Sequence, residues 1–231
     1  MPRDARRILD LGTGDGRLLA LLRQDRPDSI GVGLDISEPM LEAARERFAD
    51  QRGIELVRHD LAEPIPDLGS FDAVVSCFAI HHVHDARKRT LYAEAFDRLV
   101  PGGVFCNLEH VASPTPRLHK AFYQALGYAP DFEDPSNHLL DVETQLGWLR
   151  DISFTDVDCY WKWLEMALLI GIKKPQRLWP AAALAGSRSG RQPLWRSSAS
   201  ARGLGHPPTH GPRRSAPVGR PVAARWSLAS A

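Results

Sequence analysis

Residues 8–16, Ile8-Leu9-Asp10-Leu11-Gly12-Thr13-Gly14-Asp15-Gly16, restrict the fold of this chain more than any other stretch. Ile8, Leu9 and Leu11 make an apolar run long enough for one buried strand. Glycine then occupies every second position, and Leu18, Leu19, Leu21 and Leu22 follow in a helical pattern. The order is strand, glycine turn, helix. Glycine tolerates positive φ and has no Cβ, so a backbone built from it can turn sharply and approach a ligand. The helix start beyond it carries unpaired N–H groups and a partial positive charge. Asp10 stands at the strand end before the turn, where a carboxylate suits an ammonium group better than a pyrophosphate. The third glycine also comes one position earlier than in the dinucleotide fingerprint G-x-G-x-x-G.

Further strands follow at regular intervals. Ile30, Val32 and Leu34 alternate with glycines and lead to Asp35, an acid at the position that binds ribose hydroxyls in doubly wound nucleotide-binding folds. Ser37, with Pro39 behind it, predicts a capped helix whose Met40, Ala44 and Phe48 face the core. Residues 54–59 predict a third strand ending in Asp60-Leu61. Residues 71–78, almost continuously apolar, predict a central strand that leads into Ala79-Ile80-His81-His82-Val83. Asp85 is placed to cap a helix over residues 86–99, which Pro101-Gly102-Gly103 stops. Residues 104–110 predict a fifth strand ending at His110. This alternation predicts a parallel sheet with right-handed crossovers, in which ligands sit at the carboxyl ends of the strands. Asp10 to Gly16, Asp35, Asp60 and Ser76 to His82 all fall at those ends.

The D-x-G-x-G-x-G arrangement of Asp10, Gly12, Gly14 and Gly16 resembles motif I of the class I S-adenosylmethionine-dependent methyltransferases. The two later acids and the Pro-Gly-Gly entry to the fifth strand extend the resemblance over residues 8–174. It implies an α/β fold, a doubly wound and mostly parallel seven-stranded Rossmann-like sheet with the last strand antiparallel. It also implies S-adenosylmethionine as cofactor, held by Asp10, Gly12, Thr13, Gly14, Gly16, Asp35, Ile36, Asp60, Leu61, Ser76 and Phe78. In the family the acid at Asp60 holds the adenine amine, the apolar residue after it packs on the ring, and the end of the fourth strand lies beside the reactive methyl. The implied reaction is methyl transfer to a small-molecule acceptor. His81, His82 and His110 are candidate bases by their strand-end positions, with a purely structural role as the alternative for each. Two departures stand out. Only seven residues precede Ile8, where the family usually has a helix, which implies a late start or an open pocket. Ser153 stands where a glycine usually ends the last helix, a change expected to cost little.

Residues 112–140 leave the regular pattern. A helix from Pro116 to Leu126 and an acidic, aromatic loop after it are expected either to cap the substrate or to lie on the surface. Asp141 predicts the cap of a helix reaching residue 152, and residues 154–163 and 164–174 read as two closing strands. Trp161 and Trp163 alternate and are expected to pack the sheet.

Charge divides the chain. Residues 1–174 carry 20 basic and 28 acidic residues, while residues 175–231 carry nine arginines and no acid, within a formal net charge of +1. The acidic body argues against a nucleic-acid substrate. The composition of residues 175–231 predicts a disordered basic low-complexity tail beside one domain over residues 1–174. Cys77, Cys106 and Cys159 have no metal-binding spacing, and there is no apolar leader or span long enough for a bilayer, so a cytoplasmic, metal-free protein without membrane association is expected. Two other classes use similar signals. A nicotinamide oxidoreductase shares the fold but lacks an acid at Asp10, and a non-catalytic binder of S-adenosylmethionine shares the motif.

Overall fold

The computed structural model describes residues 5–129 and 132–175. Its elements run in the order β1 (Arg7–Leu11), α1 (Arg17–Gln24), β2 (Ile30–Asp35), α2 (Glu38–Arg47), β3 (Ile54–Arg58), β4 (Phe71–Cys77), a short 3-10 turn (Ile80–His82), α3 (Asp85–Arg98), β5 (Leu99–His110), α4 (Pro116–Leu126), α5 (Val142–Ile152), β6 (Phe154–Trp163) and β7 (Met166–Lys173). The seven strands form one sheet in the order β3-β2-β1-β4-β5-β7-β6. The pairs from β3 through β5 are parallel, and β7 runs antiparallel between β5 and β6. This is the doubly wound, mostly parallel seven-stranded sheet with a reversed last strand that the resemblance implies.

The side-chain period of two divides each strand between the faces. Ile8 of β1 and Ala73 and Val75 of β4 pack with Leu19, Ala44 and Phe48 from α1 and α2. Leu9, Leu11 and Val74 point the other way, to Leu91, Tyr92, Leu146 and Leu149 from α3 and α5. Covering on both faces explains why β4 reads as an unbroken apolar run. It also leaves the carboxyl ends of β1, β2 and β4 open together, since the crossovers leave from there.

Several local features differ from expectation. The N-cap position of α3 is His84, and Asp85 sits in the first turn, where its carboxylate suits the helix start and pairs with Lys88 Nζ at 3.1 Å. Leu99 pairs with Phe71 as the first residue of β5, so Pro101-Gly102-Gly103 forms an irregularity inside that strand instead of preceding it. Ser37 holds the N-cap position of α2 without a side-chain bond; its own N–H is taken by Asp35 Oδ1 at 2.9 Å. Trp161 and Trp163 are not buried in the sheet: they are 48% and 41% exposed, because β6 is the edge strand. Ser153, at the C-cap of α5, adopts the left-handed conformation that a glycine takes more easily, with φ 94°. Among the described residues no helix is long and apolar enough to cross a membrane. The expected tail, from residue 176 on, lies outside the described residues.

Candidate active site

The turn after β1 is built by its glycines and anchored to β2. Gly12, Gly14 and Gly16 all have positive φ, at 73°, 53° and 80°. The amides of Gly12 and Thr13 both donate to the Leu34 carbonyl at 2.8 Å, and Gly14 N–H donates to Asp35 Oδ2 at 2.7 Å. The glycines have different surroundings. A Cβ on Gly12 would lie 2.1 Å from the Cβ of Ala79, and one on Gly16 would lie 2.5 Å from the Phe48 ring, whereas one on Gly14 would meet nothing within 4 Å. Gly12 and Gly16 therefore admit the protein's own packing, and Gly14 faces open space.

Asp10 is 1% exposed. Thr13 Oγ1 donates to its Oδ2 at 2.8 Å, while its Oδ1 is buried with no hydrogen-bond partner among the described residues. Burial pushes the carboxyl up to about 7; the Thr13 bond opposes this and the nearby Asp35 charge adds to it. A buried acceptor left unpaired is costly in a folded protein unless something else supplies the donor.

Asp35 accepts from Gly14 and Ser37, one bond to each oxygen. An ionised carboxylate has about four lone-pair sites, so acceptor capacity remains. Ile36 beside it is 56% exposed, and Leu61 lies 3.9 Å from the position a Gly12 Cβ would take. Asp60 is exposed and accepts from the Ala62 N–H at 2.8 Å. Ser76 is buried and donates to the Leu11 carbonyl at 2.7 Å, so its side chain ties β4 to β1. Phe78 carries a φ of 51°, unusual for a bulky residue, at the point where the chain leaves β4. These positions, spread over residues 10–78 in sequence, meet at one end of the sheet.

The second half of the site lies beside the ends of β4 and β5. His81, 6% exposed, makes a 2.7 Å bond from Nδ1 to Glu109 Oε1, and Glu109 is 1% exposed. The other oxygen of Glu109 accepts from Asn107 Nδ2 at 3.2 Å, which also reaches the Tyr92 hydroxyl, itself bonded to Gln145 Oε1 at 2.6 Å. His110 Nε2 and His119 Nδ1 share Glu165, each at 2.8 Å, and Glu165 is wholly buried. His82 is exposed, and its ring lies 4.0 Å from that of His81. Although part of the residue is exposed, partial desolvation of the ring and the His81 charge hold the His82 imidazole below its ordinary range. The loop after α4 closes over this cluster. His138 N–H donates to the His81 carbonyl at 2.8 Å, Lys88 Nζ donates to the His138 carbonyl, and Ser136 bonds His82 through its carbonyl at 3.2 Å and its hydroxyl at 3.1 Å.

Sequence reasoning marks the three histidines but passes over Glu109, Glu165, His119, Asn107 and Tyr92. The available signals are small. Glu109 is an acid inside an apolar strand, directly before a marked histidine, and Glu165 is the lone acid between Leu164 and Met166.

The family model described as a methyltransferase domain matches residues 8–103. The chain is 41% identical over 112 residues to the demethylmenaquinone methyltransferase of Thermus thermophilus, covering 47% of this chain and 49% of that protein. It is 30% identical over 174 residues to the demethylmenaquinone methyltransferase of Roseiflexus castenholzii, covering 66% of this chain and 71% of that protein. The chain thus spans about half the length of some of the curated relatives it matches. A solved S-adenosylmethionine-dependent methyltransferase from Mesorhizobium loti has the same fold, with a TM-score of 0.56 at 23% identity, over 74% of this chain and 93% of that one.

Proposed function

Since this chain belongs to the class I S-adenosylmethionine-dependent methyltransferase family, we propose that it transfers a methyl group from S-adenosylmethionine to a small-molecule acceptor. The observation that carries the reading is Asp10 Oδ1, a buried acceptor with no donor among the described residues, at the start of a turn whose Gly14 faces open space. An amino-acid ammonium is the donor that such an oxygen fits. Asp35 keeps lone pairs for a ribose diol, and Ile36 and Leu61 offer apolar surface on which an adenine packs. Asp60 has an acceptor for the exocyclic amine. The residues present therefore fit the cofactor.

Once bound, S-adenosylmethionine supplies an electrophilic methyl on a sulfonium whose thioether leaves readily. The protein's own work is to bind and to aim. Gly14 leaves room for the ligand backbone, Asp10 fixes the ammonium end, and Asp35 fixes the ribose. Orientation of this kind accounts for on the order of 7–11 kcal/mol of a bimolecular barrier. Residues 132–140 of the loop after α4 bond His81 and His82 beside the end of β4, and they are the segment we assign as the acceptor's cap. The relatives' names make a demethylated quinone the first acceptor to try.

Calorimetric titration with S-adenosylmethionine and S-adenosylhomocysteine, with NAD as control, tests the cofactor. Binding of the first two and loss of it in Asp35→Ala are expected. An Asp35→Ala variant that binds as the parent does, or a parent that prefers NAD, would sink the reading. Incubation with reduced demethylmenaquinone and labelled cofactor then tests transfer.

A further inference from the structure

Glycine lets the turn after β1 take its shape and, for the same reason, does little to hold it there. The front of the turn is tied to β2, through the Leu34 carbonyl and the Asp35 carboxylate. The rear is tied to α2. Phe48, the C-cap residue of α2, is buried and fills the space a Gly16 side chain would need. Arg47, directly before it, reaches across 32 residues of sequence to Asp15. Its Nε donates to the Asp15 carbonyl at 2.7 Å, and its Nη2 donates to Asp15 Oδ2 at 2.7 Å. Arg17 Nε also meets Asp15 Oδ2, at 2.8 Å, but Arg17 opens the helix that the turn leads into, so its bond ties the turn to no other element. Gly14, which faces open space, lies between the two anchorages.

A guanidinium that grips two acceptors of one residue fixes direction as well as distance. One bond sets the Asp15 carbonyl and the other sets its side chain. The backbone beside Gly14 is thus held from the rear by Arg47 and from the front by Asp35. A simpler role is also open to Arg47. It stands in the last turn of α2, where any positive charge suits the carbonyl end of a helix. A lysine would fill that role as well, but it would not make the fork.

Resting on the methyl-transfer reading, we propose that Arg47 is a positioning residue for S-adenosylmethionine. It acts through Asp15 and not by contact with the ligand. It keeps the glycine turn in the shape that accepts the ligand before the ligand arrives, so that binding does not have to order the turn first. The apparent dissociation constant of a site rises by the inverse of the fraction of time the site is ready. Without the fork the turn is ready less often, while the complex, once formed, is the same.

The test titrates the full chain and its Arg47→Met and Arg47→Lys variants with S-adenosylhomocysteine by calorimetry. Both variants are expected to bind about tenfold more weakly, as they would if the turn were ready about one-tenth of the time. Both are expected to melt close to the parent, because the Arg47–Asp15 pair is partly exposed and such pairs add little to global stability. Parent-like affinity in Arg47→Met would overturn the proposal. So would parent-like affinity in Arg47→Lys, since charge at the helix end would then be the whole effect, and so would a loss that the unfolded fraction accounts for. A second readout follows the turn itself. The Gly16 amide donates to the Thr13 carbonyl at 2.9 Å inside the turn. Its exchange with solvent is expected to be faster in unliganded Arg47→Met than in the unliganded parent, and equal in the two when both are saturated with S-adenosylhomocysteine. Equal exchange without ligand would overturn the proposal, as would a difference that survives saturation. A parent that binds no cofactor defeats the methyl-transfer reading and the proposal with it, while a parent and an Arg47→Met variant that bind alike defeat the proposal alone.

Discussion

Asp10 has two oxygens in different circumstances, one satisfied by Thr13 and one by nothing among the described residues. Its folded value of about 7 lies above the ordinary 3.8, so the folded state holds the proton more tightly than the unfolded chain does. That stabilisation is complete below the unfolded value and is lost as pH rises through the folded one. The melting temperature of the parent is expected to decline relative to Asp10→Asn between those two values. Affinity for S-adenosylmethionine is expected to move the other way, strengthening as pH rises through about 7, because an ionised Asp10 is the form that holds an ammonium. Titrations across that range would check both. The glycines give a second test at this scale. Gly14→Ala meets only the cost of a left-handed alanine, about 1–2 kcal/mol, and is expected to fold and lose cofactor affinity. Gly12→Ala meets that cost and a 2.1 Å collision with Ala79 as well, and is expected to melt markedly lower.

Among the elements, legibility follows the distance over which a residue finds its partner. The placement of three acids at strand ends is legible locally: Asp35 closes an alternating apolar run, Asp10 sits one residue before the end of another, and Asp60 follows a third strand. The paired acids of the other half were not readable, because what makes Glu165 a partner of His110 is a separation of 55 residues and the placement of β7 beside β5. The exposed tryptophans of β6 misled for the same reason, since alternation shows that a strand has two faces but not that the strand lies at an edge. Ser153 allows a direct test. A serine at φ 94° costs about 1–2 kcal/mol that a glycine avoids, so Ser153→Gly is expected to raise unfolding stability by about that amount. Glu165→Ala would leave His110 and His119 without their shared acceptor and is expected to cost about 3 kcal/mol; urea unfolding measures both. His119 also predicts a pH response for α4. Burial lowers its ionisation, but the bonds to Glu165 and Glu133 outweigh this and raise it. The resulting stabilisation is present below the ordinary imidazole value and is lost as pH rises through the raised one. Protection factors of the α4 amides, taken against intrinsic exchange at each pH, are expected to fall on that rise in the parent and not in His119→Ala.

At the scale of the molecule, cofactor binding and folding are linked. A ligand that binds only the folded chain adds about 2.7 kcal/mol at one hundred times its dissociation constant. S-adenosylhomocysteine is expected to raise the thermal midpoint of the parent and to leave that of Asp35→Ala unmoved, which scanning calorimetry would show. The reversed strand has a different consequence, one of timing. Among the described residues β7 is the last strand to leave the ribosome, yet it lies inside the sheet, between β5 and β6. Until it is made, β5 has an open edge and β6 has no neighbour to pair with. The glycine turn and its acids can be assembled from the first 77 residues of strand and helix. Glu165, on the hairpin that leads into β7, is the last of these residues to be put in place, so under the proposed assignment a nascent chain completes its cofactor end well before the histidine cluster gains its shared acid.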